Sequence, residues 1–354
     1  MNFRKLLVVS SFVLALLSCK KEIPPVEEDG NKLKNGFLVL NEGLFQLNNS
    51  NMSWVDLATG SVNYQIFEER TGRQLGDTGN DMLIYGGKLY VVTSVSSTLE
   101  ILDAKTLKSI KQLSVVENNT AQQPQNITAL NGEIYFSTFG GKVWCVDTAT
   151  LEVKSKIQVG SNPDKITNDG QYIYVSNSGG LNYPDYDSTV SVIHPVTKTE
   201  IKKVTVAANP GEIVVGPDQN IYVITRGNYA EVPAALHRIN KQTLEKDTTY
   251  AVKALYLINF SNTELVVAYY NSSGNVEVAK FNVSQQQLKT PNFIDLNGIT
   301  TFYGIQYSSA KNQFYVKDAN SYTNSGTLRV YNSSGTFLTS YSVGLNPNKV
   351  IYYE

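Results

Sequence analysis

The stretch NPDKITNDGQYIYVSN, from Asn162 to Asn177, decides the fold because versions of it recur along the chain. Each version has an apolar strand start, a turn with Gly or Asn, and a second strand rich in β-branched and aromatic residues. Such a unit is a β-hairpin, so its repetition predicts an all-β repeat protein. The clearest copies are NPGEIVVGPDQNIYVIT (Asn209 to Thr225), QPQNITALNGEIYFST (Gln123 to Thr138) and NDMLIYGGKLYVVTS (Asn80 to Ser94), and weaker ones span Leu255 to Tyr270 and Gly304 to Asp318.

The two ends of the chain each carry half of the repeated phrase. NPNKVIYYE (Asn346 to Glu354) resembles its first strand, and NGFLVLNEG (Asn35 to Gly43) resembles its second. Seven copies give a period of about 45 residues, the length of a four-stranded propeller blade. We therefore predict a seven-bladed β-propeller over residues 36–354, with few helices. One blade is shared between the N- and C-terminal strands, which closes the ring and removes exposed strand edges.

The first residues have the layout of a bacterial signal peptide. Arg4 and Lys5 precede a mostly apolar run from Leu6 to Leu17, which ends in Leu16-Leu17-Ser18-Cys19. This ending resembles a lipobox, so residues 1–18 are predicted to be removed and Cys19 to be lipidated. An uncleaved membrane anchor is the alternative, but the run is short for spanning a bilayer. Residues 19–35, rich in charge and proline, are predicted to form a flexible tether.

Charge and cysteine content exclude several classes of protein. The chain has 30 Lys and Arg against 31 Asp and Glu, and loss of Arg4 and Lys5 with the leader leaves a net charge of about −3. No basic surface for nucleic acid is therefore expected. If Cys19 is lipidated, Cys145 has no intramolecular disulfide partner; its alternating apolar neighbours in KVWCVD predict a buried side chain.

Several recurring residues are assigned to the scaffold. Asp56, Asp103 and Asp147 end a strand before a small turn, where a carboxylate accepts hydrogen bonds from the following backbone. The phrase VGxNP occurs at Val159 to Pro163 and Val343 to Pro347, and its proline is predicted to begin an inner strand, where no ladder donor is needed.

The variable loops are the place where function is expected. In a propeller, the loops from second to third strand, and from outer strand to the next blade, share one face around the central channel. Aromatic side chains with Asn, Ser and Arg donors suit a large, flat, polar-rimmed ligand, a glycan or a protein partner. The loops are residues 40–51, 70–81, 137–142, 176–188, 225–235, 269–275 and 317–326. The candidate ligand contacts are Asn41, Phe45, Asp81, Phe139, Tyr183, Tyr186, Arg226, Tyr229 and Tyr322.

Catalytic patterns are sparse, and the chain is predicted not to be an enzyme. His194 and His237 are the only histidines, and both are interpreted as turn residues at the ends of third strands. The segment Leu75 to Asp81 has two carboxylates but lacks the spacing of a calcium loop. No catalytic residue, metal site or cofactor is therefore predicted. A metal-dependent propeller lyase or lactonase stays as a less favoured alternative.

The leader, FLVLNEG (Phe37 to Gly43), LGDTGNDMLIYGGKLYVVTS (Leu75 to Ser94) and the IYVSN and VSVI repeats resemble YncE-like propeller lipoproteins of Bacteroidetes. Among these, the chain is most similar to the BtuG family of surface cobalamin-binding propellers. The resemblance covers nearly all of the mature chain and implies a non-catalytic outer-membrane lipoprotein, lipid-anchored and facing the exterior. Such a protein captures a small-molecule nutrient, cobalamin or another corrinoid, and passes it to a TonB-dependent transporter. The loops match no fixed ligand motif, so an interaction module for a protein or glycan remains the alternative.

Overall fold

The computed structural model describes residues 32–354 and confirms the predicted all-β propeller of seven four-stranded blades. The predicted leader of residues 1–18, the lipidation of Cys19 and residues 20–31 of the tether lie outside the described residues. At the end of the tether, Leu33 is buried and its amide donates a hydrogen bond to the Lys105 carbonyl at 2.7 Å. The chain therefore contacts the propeller three residues before the first strand begins at Gly36.

Each blade is an antiparallel sheet, and its strands are named here inner, second, third and outer. In that order the blades contain: blade 1, Pro347–Tyr353, Gly36–Asn41, Asn51–Asp56 and Val62–Asn63; blade 2, Gly79–Tyr85, Lys88–Thr93, Thr98–Asp103 and Ser109–Ser114; blade 3, Pro124–Leu130, Glu133–Thr138, Lys142–Asp147 and Val153–Gln158; blade 4, Pro163–Asn168, Ile173–Asn177, Thr189–His194 and Thr199–Thr205; blade 5, Pro210–Val215, Ile221–Thr225, Ala235–Asn240 and Glu245–Tyr250; blade 6, Ala254–Asn259, Glu264–Tyr270, Val276–Asn282 and Gln287–Lys289; blade 7, Phe302–Ser308, Gln313–Asp318, Ser325–Asn332 and Phe337–Leu345.

Two smaller elements accompany the blades. A hairpin of Val116–Glu117 and Thr120–Ala121 lies between blades 2 and 3, and a helix of Ile66–Thr71 follows the outer strand of blade 1. This helix buries Ile66 and Phe67 and ends at Gly72. Within residues 32–354, no helix has the length and apolar character needed to cross a membrane.

The ring closes through its own termini, as predicted. The C-terminal strand Pro347–Tyr353 pairs antiparallel with Gly36–Asn41, with Gly36 opposite Tyr353 and Leu40 opposite Lys349. Its neighbours on the two sides are the inner strands of blades 7 and 2, so the seven inner strands form an unbroken circle. The sheet edge that faces the channel in blade 1 is therefore supplied by the last residues of the chain.

The repeated phrase is explained by packing between blades. Five of the second strands contain a fully buried tyrosine, and these residues are Tyr90, Tyr135, Tyr174, Tyr222 and Tyr315. Apolar side chains from neighbouring blades form the core around them; Cys145 of blade 3, for example, packs with residues of blade 4. Cys145 is buried as predicted, and burial raises the pKa of its thiol.

The predicted roles of the turn carboxylate at Asp147 and of the VGxNP prolines are also confirmed. The Asp147 carboxylate accepts hydrogen bonds from the amides of Ala149 and Thr150 at 2.8 and 2.9 Å. The VGxNP prolines, Pro163 and Pro347, begin inner strands. The glycine of this phrase has a steric role, because a Cβ on Gly160 would lie 2.5 Å from Cγ of the buried Asn177 in the next blade.

Candidate functional site

A polar channel runs between the inner strands, and one position of the repeat builds most of its wall. In every blade, the pairing of the inner and second strands is irregular near the start of the inner strand. Bulges of this kind redirect side chains. In six blades, the third residue of the inner strand lines a cavity of about 260 Å³. From blade 1 to blade 7, the third residues are Lys349, Asp81, Asn126, Lys165, Glu212, Tyr256 and Gly304.

Charged side chains in the channel connect different blades. Lys349 Nζ lies 3.0 Å from a carboxylate oxygen of Asp81, and the other Asp81 oxygen accepts the Ile127 amide at 3.2 Å. Lys165 Nζ lies 3.2 Å from the Glu212 carboxylate. Burial acts to lower the pKa of Lys165, but the nearby carboxylates, Glu212 foremost, outweigh burial and raise it. Lys165 therefore holds its charge against a carboxylate from the neighbouring blade.

Lys317 enters the same cavity without a carboxylate. It comes from the second strand of blade 7, is only 5% exposed, and donates a hydrogen bond from Nζ to the Asn348 carbonyl. Among the described residues, no carboxylate lies within ion-pair distance of this amine. Burial first, and then the charges of Lys349 and Lys165, lower the pKa of Lys317 to about 7.

Polar groups continue from the cavity toward the loop face. The Arg226 guanidinium lies 3.4 Å from the Asp164 carboxylate and donates to Asn209 Oδ1 at 3.3 Å. It approaches Gly211 so closely that a Cβ there would lie 3.0 Å from Cζ. Glu42 accepts a short hydrogen bond from the Tyr303 hydroxyl, and burial raises the pKa of this carboxyl.

Three of the predicted tyrosines meet on the loop face. The Tyr183 and Tyr186 rings are 6.0 Å apart and the Tyr186 and Tyr229 rings 6.1 Å apart, both edge to face. Tyr183 is 73% and Tyr229 70% exposed. The loops of blades 4 and 5 thus supply one surface, called here the tyrosine cluster (Tyr183, Tyr186 and Tyr229). Arg226 is near this cluster: burial acts to lower the pKa of its guanidinium, but Asp164, Glu212 and then Tyr229 act to raise it.

The other predicted aromatics are on separate loops. Phe45, after the second strand of blade 1, is 69% exposed. Tyr322 is 52% exposed, and its ring lies 6.0 Å from that of Tyr303. Phe139 is partly buried at a shallow groove shared with Asn182 and Asp187. No ring contact joins any of these three to the tyrosine cluster among the described residues.

Asn41 belongs to the scaffold instead of the loop surface. Its side chain is fully buried and donates to Asn51 Oδ1 at 2.8 Å and Ser53 Oγ at 2.9 Å. Asn177 occupies the same place in blade 4 and makes the same kind of contacts, with Thr189 and Ser191. The prediction of Asn41 as a ligand contact is wrong, because the last residue of the second strand points into its own blade and is fully buried there.

The two histidines differ from each other. His194 is a turn residue as predicted, since its Nδ1 accepts the amides of Val196 and Thr197. The turn assignment of His237 is wrong: it lies within the third strand of blade 5, 2% exposed, between the hydroxyls of Thr225 and Thr249. Burial lowers its pKa to about 4. Within residues 32–354, no three His, Cys, Asp or Glu side chains are grouped to hold a metal ion.

Most of the channel was not predicted from the sequence. Asp81, a predicted ligand contact, lies in this channel. Lys165, Glu212 and Lys349 lie inside the repeated phrase and were not predicted as site residues, and Lys317 begins the predicted loop 317–326 without being a predicted contact. The position of the charges in the repeat could have identified them. Charged residues recur at the third place of the inner strands, and a charge is costly to bury in the apolar interior of a blade, so these side chains are expected to face a polar channel.

The fold and this site define a class of protein, a seven-bladed propeller with a charged channel below a loop face that exposes aromatic side chains. The chain belongs to the family described as a domain of unknown function, DUF5074, whose model matches residues 35–347. No curated protein matches the sequence.

Solved structures share the fold at low identity. A quinonprotein alcohol dehydrogenase-like protein of Bacteroides thetaiotaomicron has a TM-score of 0.65 and 17% identity, over 91% of this chain and 79% of that chain. A functionally unknown protein of Desulfotomaculum acetoxidans has a TM-score of 0.63 and 13% identity, over 90% and 98%. Hydrazine synthase of Kuenenia stuttgartiensis has a TM-score of 0.59 and 14% identity, over 74% and 85%. Since enzymes and a protein of unknown function share this fold, the neighbours carry no assignment of activity.

Proposed function

We propose that this propeller is a non-catalytic, lipid-anchored binding protein of the outer membrane. It captures a nutrient, cobalamin in the first instance, on its loop face and delivers it to a TonB-dependent transporter. The observation that carries the proposal is the tyrosine cluster, in which two adjacent blades expose neighbouring aromatic rings.

Exposure of the rings is the first argument. Large aromatic side chains are normally covered in a monomeric protein, and neighbouring ones left exposed mark a surface that a ligand or partner covers. Tyr183 and Tyr229 each expose more than two thirds of their surface. A tyrosine offers an apolar face and a hydroxyl together, which suits a flat macrocycle with polar substituents such as a corrin.

The polar groups beside the rings are the second argument. Arg226 is only partly buried and lies between the tyrosine cluster and the channel, where its contacts are Asp164 and Asn209. Its charge-assisted hydrogen bonds could orient the amide and phosphate groups at the periphery of a corrinoid. Stacking and hydrogen bonding of this kind require no proton transfer.

The sequence supplies the remaining support. The lipobox-like segment ending at Cys19 and the resemblance to surface cobalamin-binding propellers both favour a role at the outer membrane beside a transporter. The lipid anchor would be the only membrane attachment of this protein.

Calorimetric titration of the purified protein with cyanocobalamin tests the proposal. We expect micromolar or tighter binding, and at least tenfold weaker binding for Tyr183→Ala/Tyr229→Ala, since buried aromatic anchors dominate binding energies. Phe337→Ala is the matched control: this ring is 50% exposed, but it begins the outer strand of blade 7 at the opposite face. Absence of binding by the unaltered protein would remove cobalamin as the ligand.

A protein-interaction module without its own small ligand is the second candidate. Phe45 and Leu47, 69% and 60% exposed in one loop of blade 1, favour it because an apolar loop tip suits a protein partner. Two results would support this candidate over the first. A transporter should co-purify with the unaltered protein but not with a variant that lacks Phe45 and Leu47, and calorimetric titration with corrinoids should show no binding.

A further inference from the structure

The Lys317 amine occupies the place where a seventh inner-strand side chain would project. Gly304 is the third residue of the inner strand of blade 7 and lies opposite Lys317. A Cβ on Gly304 would lie 2.9 Å from Cε and 3.0 Å from Nζ of Lys317. The lysine therefore reaches the cavity from the second strand because the inner strand leaves room for it.

The charges that line this cavity do not balance. Lys165 and Lys349 are each paired with a carboxylate, Glu212 at 3.2 Å and Asp81 at 3.0 Å. Lys317 has the Asn348 carbonyl as its acceptor, and an ammonium group carries three donors. With all five groups ionised, the lining residues bring three positive and two negative charges together.

We propose that the channel binds a small anionic oxygen group, a carboxylate or a tetrahedral oxyanion, at the Lys317 ammonium. The cavity of about 260 Å³ has room for such a group, and Asn80, Asn126 and Asn348 lie in its wall as further polar contacts. This site goes beyond the proposed capture of a nutrient and is independent of the tyrosine cluster.

The surroundings of Lys317 make anion binding depend on protonation. Lys349 and Lys165 disfavour its charged form, Glu212 and Asp81 favour it less strongly, and burial disfavours it most. The Glu42 carboxyl, outside the lining residues, also interacts with Lys317, but burial raises the pKa of this carboxyl and so favours its neutral form. The Tyr256 ring also faces the amine, since its Cε1 is 3.1 Å from the position that a Cβ on Gly304 would take. An anion supplies the missing negative charge, so it binds the protonated amine and raises the pKa of Lys317.

Calorimetric titration with sulfate and, separately, acetate tests this proposal, because neither anion changes charge between pH 6 and 8. Ionic strength is held constant with chloride. Lys317, with a pKa of about 7, is mostly charged at pH 6 and mostly neutral at pH 8. We expect roughly tenfold weaker binding at pH 8 than at pH 6. Titrations at pH 8 in two buffers with different heats of ionisation should show uptake of close to one proton.

Two variants locate the site. Lys317→Met should abolish both binding and proton uptake, and Lys105→Met, at an exposed turn, should change neither. Binding of sulfate alone or acetate alone would identify the preferred oxygen group. Absence of binding by both anions, or binding that survives in Lys317→Met, would overturn the proposal. Should Lys317→Met not fold, proton uptake by the unaltered protein decides: none at pH 8 contradicts an anion site at this amine.

Discussion

The channel and the tyrosine cluster are close to each other and are built in opposite ways. The channel side chains come from one repeated position on the inner strands, are largely buried, and bond across blades. The clustered tyrosines come from loops of unequal length and are mainly exposed. Changes in the channel should therefore alter stability, while changes in the cluster should alter binding and leave stability nearly unchanged.

Removal of residues 346–354 should have the largest effect, because this segment is the channel wall of blade 1. Its loss exposes the partner strand Gly36–Asn41 and the apolar side chains that pack against Val350. It also removes the partners of Asp81 and Lys317, which are Lys349 and the Asn348 carbonyl. We expect a loss of about 5 kcal/mol or more, seen in a thermal melt as a drop in Tm of roughly 10 °C, or loss of a cooperative transition.

Removal of Glu354 alone is the control, since this residue is exposed and follows the strand end. A truncated protein that melts like the unaltered one would mean that the terminal strand does not close the ring.

Asp81→Asn should have the next largest effect. It leaves Lys349 near two other lysines with one carboxylate fewer, and weakens the contact with the Ile127 amide. Because Lys349 is 37% exposed, solvent moderates the loss, and we expect about 2 kcal/mol in urea unfolding at pH 7. Glu152→Gln, which breaks a surface pair with Lys111, should stay within about 0.5 kcal/mol. Equal effects of the two substitutions would contradict the distinction between channel and surface.

Glu42→Gln should have a smaller effect that depends on pH. Burial raises the pKa of Glu42, so the folded protein favours the protonated carboxyl. Its contribution to stability is full below the ordinary glutamate pKa and falls as pH rises through the higher folded value. Glutamine imitates the protonated form and can still accept from Tyr303, so the variant should gain stability relative to the unaltered protein as pH rises from 4 to 7. Unfolding of both proteins across this range, with Glu68→Gln as an exposed control, measures the difference; a gain that is constant with pH would refute the assignment.

Tyr183→Ala/Tyr229→Ala should have the smallest effect on stability, within about 0.5 kcal/mol, because both rings are largely exposed. The same urea unfolding measures it. A loss of 2 kcal/mol or more would mean that the tyrosine cluster supports the fold and is not reserved for a ligand.

The repeat predicted the blades, the turns and the shared closing blade because these depend on local patterns of apolar, turn and β-branched residues. Apart from Asp81, the charged residues of the channel were not predicted, because their side chains come together only when neighbouring blades pack around the channel. Gly304 and Lys317 are opposite each other on neighbouring strands. Because Gly304 has no side chain, it leaves the space into which the Lys317 side chain extends. His237 was predicted at the turn after the third strand of blade 5, but the residue at that turn is Asn240, three positions later. Its Oδ1 accepts the amides of Gln242 and Thr243.

The tyrosine cluster was predicted as three separate candidates, and the structure adds that they touch. Loops on neighbouring blades are about 45 residues apart in sequence, so their contact depends on the ring. In the described part of the chain, Phe45, Phe139 and Tyr322 make no ring contact with the cluster, although Phe139 shares a groove with Asn182 and Asp187 of the loop that carries Tyr183 and Tyr186. The first choice of ligand contacts is therefore the cluster formed by blades 4 and 5.

Hydrogen exchange with and without saturating cyanocobalamin tests the central claim, that the loop face of this propeller captures the nutrient. We predict slower exchange in residues 176–188 and 225–235, which carry the clustered tyrosines, and no change in the outer strands such as Phe337–Leu345. Saturated binding with protection confined to the outer strands or the opposite face would contradict the claim.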